Sequence, residues 1–412
     1  MRCRWSDLPE KFITTVIRRL KSFSHLSIQT VVTFYNAFSK LECRYRELHP
    51  SVRDTLELNF VKSSAQDIKP HEIGVFIYSV AKLNADWNDF SEEMQSAAIG
   101  ALEKHSYRLN EQELGNVIWG LGHMKVDLNL MTTNFRESIF KPIVRKANEL
   151  RDPALVAILQ GIGRGQLQWN KLHPQLKGAL LRSAYIRLLH HPDLNFVITL
   201  LQAMGRLSAE WYSLPAKLTN AFLDTVRKVD IIDVPASRIA SLLNGLACMS
   251  VTWSLLDAVT KDQLLRAIQA KAVEFSRTEV SSVLWSLGRM GAKTGIALKD
   301  ELWMLLRQCL QVHVAEMTAA ELAWTLWALG KLEAQFSEMD DGLQSRILQA
   351  TSRRMIHMNS RERGVTFWAM ARLSIPINEL SMDDRNAIVQ TIQELAMQSL
   401  SRSKNDSENG TS

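Results

Sequence analysis

A short phrase returns along this chain at intervals that hardly drift. It reads FIYSVAKL at 76–83, NVIWGLGHM at 116–124, SVLWSLGRM at 282–290, TLWALGKL at 325–332 and TFWAMARL at 366–373. Weaker copies are FYNAFSKL (34–41), ILQGIGRG (158–165), LLQAMGRL (200–207) and LLNGLACM (242–249). Aligned on the tryptophan, the equivalent residues are Asn36, Tyr78, Trp119, Gln160, Gln202, Asn244, Trp285, Trp327 and Trp368, and every interval is 41 or 42 residues. A chance helical motif does not hold register from Asn36 to Trp368, so the chain is an array of repeats.

Each repeat opens with a helix start. Ser27, Asn110, Asp193, Ser276, Thr318 and Asn359 lie nine residues before the marker and can cap free backbone N–H groups. Glu113, Glu279, Glu321 and Glu362 complete capping boxes with four of them. The preceding residue is usually apolar, as at Leu26, Leu109, Phe275, Met317 and Met358. After the phrase comes a short turn, often with an aromatic at Tyr45, Trp87, Trp169, Trp211, Trp253 or Phe336. A second amphipathic stretch follows, such as SEEMQSAAIGALEK. These aromatics read as structural hinges between two helices.

A helical hairpin of this length cannot bury its apolar faces alone and must stack on its neighbours. The expected fold is all-α: a right-handed α-solenoid of about nine 41–42-residue helical-hairpin repeats, in the length range of HEAT and armadillo units. Trp5 stands 22 residues before the cap at Ser27, close to the 23 between Trp253 and Ser276. Residues 1–25 therefore read as the second helix of a truncated repeat rather than as an organelle transit peptide. Residues 26–401 read as the solenoid, and 402–412 as a disordered polar tail.

Composition agrees with an ordered, soluble chain: 46% hydrophobic, 22% charged, with 18 glycines and 10 prolines in 412 residues. The net charge of +6 suits a polyanionic partner without identifying one. Cys3, Cys43, Cys248 and Cys309 are too scattered for a zinc site or a disulfide framework, which points to a reducing compartment. No apolar run approaches the roughly 18 residues of a membrane span.

Numbering the first helix from its cap as zero and advancing about 100° per residue separates its faces. In the eighth repeat Leu322, Leu326 and Leu329 cluster as core, while the small residues Ala323, Ala328 and Gly330 fall on the flanks, where neighbouring first helices can approach. The remaining face collects positions six, nine and thirteen. Position six holds Thr33, Val75, Asn116, Ala157, Thr199, Ser241, Ser282, Trp324 and Val365; position nine is the marker series. Position thirteen holds Lys40, Lys82, His123, Arg164, Arg206, Cys248, Arg289, Lys331 and Arg372. Amides and hydroxyls that bond base edges, rings that stack on bases, and cations at phosphate spacing are what single-stranded nucleic acid requires. Base reading and stacking are accordingly expected from Thr33, Asn36, Tyr78, Asn116, Trp119, Gln160, Thr199, Gln202, Ser241, Asn244, Ser282, Trp285, Trp324, Trp327 and Trp368. Phosphate binding is expected from Lys40, Lys82, His123, Arg164, Arg206, Arg289, Lys331 and Arg372. Two plainer readings stand beside this one. A basic residue in the last turn also complements the helix dipole, and tryptophan also fills gaps between repeats. Asn and Gln at four of the marker positions fit a wholly apolar gap poorly.

The phrase LAWTLWALGKL, with NVIWGLGHM and SSVLWSLGRM, resembles the octotricopeptide repeat family and the related repeats that precede RAP domains in organellar proteins, over about residues 27–400. The resemblance implies sequence-selective RNA binding in chloroplasts or mitochondria, acting in transcript stability, processing, splicing or translation. The period here is longer than in that family, and no C-terminal RAP-like domain is recognisable.

Catalytic signals are weak. The glycines of GIGRG (161–165) fall on packing positions of a helix rather than in a phosphate loop, and His190 and His191 lack a third ligand. Asp340 with Asp341, and Asp383 with Asp384, sit near the starts of second helices, where acids favour the dipole. The expectation is a non-enzymatic protein without cofactor, metal, membrane or small-molecule substrate. Its partners are single-stranded RNA and other ribonucleoprotein components. An armadillo- or HEAT-like protein-interaction scaffold is the competing reading.

Overall fold

In the computed structural model the described residues are 4–23, 25–229 and 231–375, with isolated positions between 382 and 397. The expected tail at 402–412, Cys3, and the pair Asp383 and Asp384 lie outside them. The chain is all-α, an α-solenoid of helical hairpins in which neighbouring helices pack pairwise in series. Among the described residues no helix is long and apolar enough to cross a membrane.

The first helices of the nine repeats are α2 (Ile28–Lys40), α4 (Pro70–Lys82), α6 (Glu111–His123), α8 (Asp152–Arg164), α10 (Leu194–Arg206), α12 (Ala236–Cys248), α14 (Arg277–Met290), α16 (Ala319–Lys331) and α18 (Ser360–Leu373). Alternating with them are α1 (Glu10–Lys21), α3 (Pro50–Asp67), α5 (Glu92–His105), α7 (Thr133–Arg145), α9 (Pro174–His190), α11 (Ala216–Lys228), α13 (Ala258–Lys271), α15 (Asp300–His313) and α17 (Asp341–Met355). The chain divides into two compact units, residues 1–222 and 223–412, with the division inside α11.

In the first unit α2, α4, α6, α8 and α10 pack in succession as one layer, and α1, α3, α5, α7 and α9 as the other. In the second unit α12, α14, α16 and α18 form one layer, with α13, α15 and α17 behind them. Sequence dictates both layers. The apolar residues at positions four, eight and eleven of the first eight first helices, such as Leu114, Ile118 and Leu121, are buried between the layers, whereas α18 carries Arg363 and a half-buried Phe367 at the first two of these places. The capping boxes hold each helix start: the Asn110 side chain accepts from the Glu113 N–H at 2.9 Å while Glu113 accepts from the Asn110 N–H at 2.8 Å. Asn359 and Glu362 repeat this at 2.9 and 3.0 Å.

Small residues set how closely the first-layer helices approach. A Cβ built on Gly120 would lie 2.7 Å from Ile77 Cγ2, and one on Gly161 would overlap the Ile118 carbonyl. GIGRG is therefore part of α8 and its contact with α6, as its register predicts.

The end of each first helix repeats a device that the sequence conceals. Glu42, Asn84, Lys125, Gln166, Ser208, Ser250, Gly291, Glu333 and Ser374 all have φ between 52° and 76°, at the same place in successive repeats. The next residue then bonds back into the helix, as in Val126 N–H to Leu121 O at 3.0 Å and Ala334 N–H to Leu329 O at 3.1 Å. This is the left-handed closure that usually selects glycine, yet only Gly291 supplies one. A 3₁₀ turn follows, with its aromatic buried: Tyr45, Trp87, Trp169, Trp211, Trp253 and Phe336 are hinges, as expected. In the first unit four turn N–H groups donate to the carbonyl that closes the first helix one repeat on: Trp5 to Leu41 at 2.7 Å, Tyr45 to Leu83 at 2.7 Å, Trp87 to Met124 at 2.8 Å and Trp169 to Leu207 at 2.7 Å. Trp5–Asp7 and α1 thus use the same turn, helix and bond as later second helices.

Two substitutions test these constraints in opposite directions. Gly161→Ala should destabilise the first unit by about 1–3 kcal/mol, the usual cost of overpacking, because the methyl meets backbone rather than a flexible side chain. Ser250→Gly should stabilise the second unit by about 0.5–1 kcal/mol, since L-residues pay about 1–2 kcal/mol for the left-handed region and glycine returns part of that as unfolded-state entropy. Urea denaturation followed by circular dichroism checks both, and no change at either position would contradict the packing or the strain argument.

Candidate functional site

Positions six, nine and thirteen of every first helix are half-buried or exposed, while the apolar positions between them are closed off from solvent in nearly every repeat. The row therefore lies where the helical register puts it. One further position joins it. Gln112, Thr278 and Arg361, at position two, are one turn before position six on the same face: Gln112 donates to Asn116 at 3.1 Å, and the Arg361 guanidinium lies 5.3 Å from the Trp324 ring. Continuing the helical period one turn toward the cap would have included them.

In the first unit the rings and cations interleave between repeats. Tyr78 and Trp119 are 5.4 Å apart, and the Lys82 ammonium stands 5.6 Å from one ring and 5.4 Å from the other. Trp119 lies 3.5 Å from the His123 imidazole, whose Nδ1 donates to the Trp119 carbonyl at 3.1 Å. Arg164, one repeat on, donates to the His123 ring. Burial brings the His123 pKa from 6.5 down to about 4; the bond to the Trp119 carbonyl opposes this, and Arg164, Lys82 and Arg206 reinforce it. His123 is thus neutral at neutral pH. The expected phosphate-binding row has no cation there, because three neighbouring cations already surround a half-buried ring. Arg164 is itself held below the usual guanidinium range, by burial and by Arg206. Among the described residues, none of Lys40, Lys82, Arg164 and Arg206 pairs with a carboxylate.

In the second unit Trp324 and Trp327 meet edge to face at 6.1 Å. Lys331 lies 5.8 Å from Trp327 and 5.1 Å from Trp368, again between a ring of its own repeat and one of the next. Trp368 is 40% exposed. Asn244, Ser282, Trp285, Arg289, Trp324 and Trp327 border an open groove of ≈ 660 Å³, with Trp327, Lys331 and Trp368 along a smaller one beside it. Neither tryptophan of the ELAWTLWALGK segment is closed into the core.

The plainer readings hold at particular residues. Arg289 donates to the Ala247 carbonyl at 2.9 Å, near the end of α12, so it satisfies a helix terminus as well as covering Trp285 at 5.4 Å. Arg372 faces Glu333 at 3.7 Å. Thr33 and Thr199 spend their hydroxyl protons on the Gln29 and Asn195 carbonyls of their own helices, at 2.7 and 2.9 Å. Asn244 accepts a long contact from Cys248 at 3.7 Å. Asn36, Gln160, Gln202, Ser241 and Ser282 are half-buried on the same row, and Lys40, Arg206 and Lys331 are exposed beside it. Among the described residues no group of three His, Cys, Asp or Glu side chains converges as metal ligands would; His190 and His191 are exposed at the end of α9.

No protein-family model matches the sequence, and no curated protein does. Among solved structures the chain is similar to a chain from a homology model of the full-length AP-3 complex in an intermediate open conformation, at 9% identity with a TM-score of 0.30, over 90% of this chain and 67% of that one. It is also similar to an engineered protein, at 10% identity and a TM-score of 0.21, over 94% and 92% of the two chains.

The buried neutral imidazole has a pH signature. Its folded pKa lies below its ordinary value, so the unfolded chain binds the proton first. Its contribution is complete above about 6.5 and is lost as pH falls towards about 4. Urea titrations at pH 7 and pH 5 should show a smaller pH-dependent loss of stability in His123→Gln than in the parent protein; equal losses would mean that the imidazole titrates normally.

Proposed function

We propose that the outer row of the first helices binds single-stranded RNA with sequence selectivity, at about one nucleotide per repeat along each unit. The observation that carries this reading is the alternation, within each unit, of open aromatic rings with cations that have no carboxylate partner among the described residues, Tyr78, Lys82 and Trp119 in one and Trp327, Lys331 and Trp368 in the other. Unpaired bases present π-faces and edges, and the phosphodiester between them needs a cation. Half-buried amides at Asn116, Gln160, Gln202 and Asn244 supply the donors and acceptors for reading base edges.

Magnitudes favour exchange on binding. A lysine over an exposed ring contributes about 0.5–1 kcal/mol, whereas base stacking is worth about 1–3 kcal/mol per base. A base can therefore take the ring face from Lys82 or Lys331 and release the ammonium to the adjoining phosphate. Binding itself is the action: an RNA segment held single-stranded is shielded from exonucleases, or keeps a neighbouring site open for ribosomes or processing enzymes. The resemblance to octotricopeptide repeats supports the same reading and would imply work in a chloroplast or mitochondrion, in RNA stability, processing or translation.

Titration of a random-sequence single-stranded RNA about 30 nucleotides long, at low and physiological salt, with matched duplex as control, tests the proposal. Salt-sensitive binding that prefers the single strand is expected, and none even at low salt would favour a protein-interaction scaffold. Trp285→Ala, Trp327→Ala and Trp368→Ala combined should weaken binding at least a hundredfold while helicity is kept, from about 1–3 kcal/mol for each stacked base. Arg206→Ala should weaken binding across sequences and reduce the salt slope by about 0.7, the single-strand value for one phosphate contact. An unchanged slope removes Arg206 from the interface.

A further inference from the structure

The second layer of the first unit carries a groove that the RNA reading does not use. It runs along one face of α7 and is closed by the turn and first residues of α9, with a volume of ≈ 550 Å³. Its apolar lining is Phe140, Val144, Leu167, Leu172 and Leu176, with the polar side chains of Thr133, His173 and Gln175 at its edge. Phe140 and Val144 are only half-buried there. The α7 stripe that lines it, from Thr133 to Arg145, is a continuous helical face about 18 Å long at 1.5 Å per residue.

The rim is charged with one sign. Arg136, Lys141, Arg145 and Lys171 surround the floor, and the one carboxylate among the lining residues, Glu137, is held by Lys141 at 2.6 Å. Among the described residues Arg136, Arg145 and Lys171 have no carboxylate partner. Three cations thus stand without counter-charges beside an apolar trough about as long as three helical turns. The lining holds neither tryptophan nor tyrosine, and its broad aliphatic surface, with few amides or hydroxyls, suits apolar side chains better than base edges. An apolar trough with a basic rim complements an amphipathic segment whose apolar side chains recur at helical spacing and whose other face is acidic.

We infer that the groove between α7 and the start of α9 docks an acidic amphipathic helix of a partner protein, on the opposite layer from the first-helix row. A bound helix would set apolar residues on Phe140 and Val144 and carboxylates against Arg136, Arg145 and Lys171. The site is independent of the RNA proposal and survives its failure.

The test uses the whole chain and a fluorescein-labelled 16-residue probe with leucine at every third or fourth position and glutamate elsewhere. Two controls are a scramble of the same composition and a version with lysine in place of glutamate. Fluorescence anisotropy should show saturable binding of the probe and at least tenfold weaker binding of both controls. The exposed charge reversals Arg145→Glu and Lys171→Glu together should weaken the probe at least tenfold with helicity unchanged, and Phe140→Ala should weaken it as well. Hydrogen exchange should then show protection of residues 133–145 and 167–176 on binding. Equal binding of the scramble would reduce the effect to bulk charge and overturn the inference, as would protection elsewhere. Loss of oligouridine binding in the charge-reversed protein, with the probe unaffected, would overturn it in favour of a nucleic-acid surface.

Discussion

The bond from the hinge N–H of Trp5, Tyr45, Trp87 and Trp169 to the terminal carbonyl of the first helix one repeat on is the interaction that ties successive hairpins of the first unit into an array. The last carbonyls of an α-helix have no partner within it, and an unmade buried hydrogen bond costs about 1–3 kcal/mol. Here Leu83, Met124 and Leu207 are buried and their carbonyls are taken by Tyr45, Trp87 and Trp169 of the repeat before. The aromatic side chains of those residues fill the space behind the bond. One residue type at one position therefore fixes both the turn within a repeat and the spacing to the next.

Close approach of the first helices follows from the same register. Because Gly120 lies against Ile77, and Gly122 against Gly161, the flanks of α4, α6 and α8 carry almost no side-chain bulk. Helices this close expose a narrow ridge, and on it residues of neighbouring repeats meet. That is why Lys82 reaches Trp119 as well as Tyr78, and Lys331 reaches Trp368 as well as Trp327. A marker residue in one repeat is thus set by its own helix and covered by the cation of the repeat before it.

Much of this was legible in the sequence because the repeat samples each structural position nine times. Mostly Leu, Ile and Val, with Tyr35, Phe38 and Met204, exchange at positions four, eight and eleven of the first eight repeats, which is what burial alone requires; Asn110 with Glu113 and Asn359 with Glu362 announce helix starts through local chemistry. The closing residues were not legible. Glu42, Lys125 and Glu333 hold a left-handed backbone that their side chains do not favour, and the inter-repeat bonds and the buried apolar residue just after each of them impose it. Tertiary context overrides propensity there, so only Gly291 would have been found. The neutrality of His123 is hidden for a related reason: it follows first from burial of the ring and then from Arg164, Lys82 and Arg206, which belong to three other helices.

The variation at the marker position is then informative in itself. Asn36, Tyr78, Gln160 and Trp285 occupy the same place on the same helix, yet a gap-filling role would call for similar volume and polarity at each. The buried positions beside them obey that rule: Val31, Ile73, Leu155 and Val280 are all apolar and almost wholly inaccessible. A half-buried row whose chemistry changes from repeat to repeat, between rows that stay largely apolar, is less tightly constrained by folding than they are, although Arg289, Thr33 and Thr199 bond backbone carbonyls from it. Under the proposed function, a row of that kind suits a ligand that itself varies from one unit to the next along its length, as a nucleic-acid strand does.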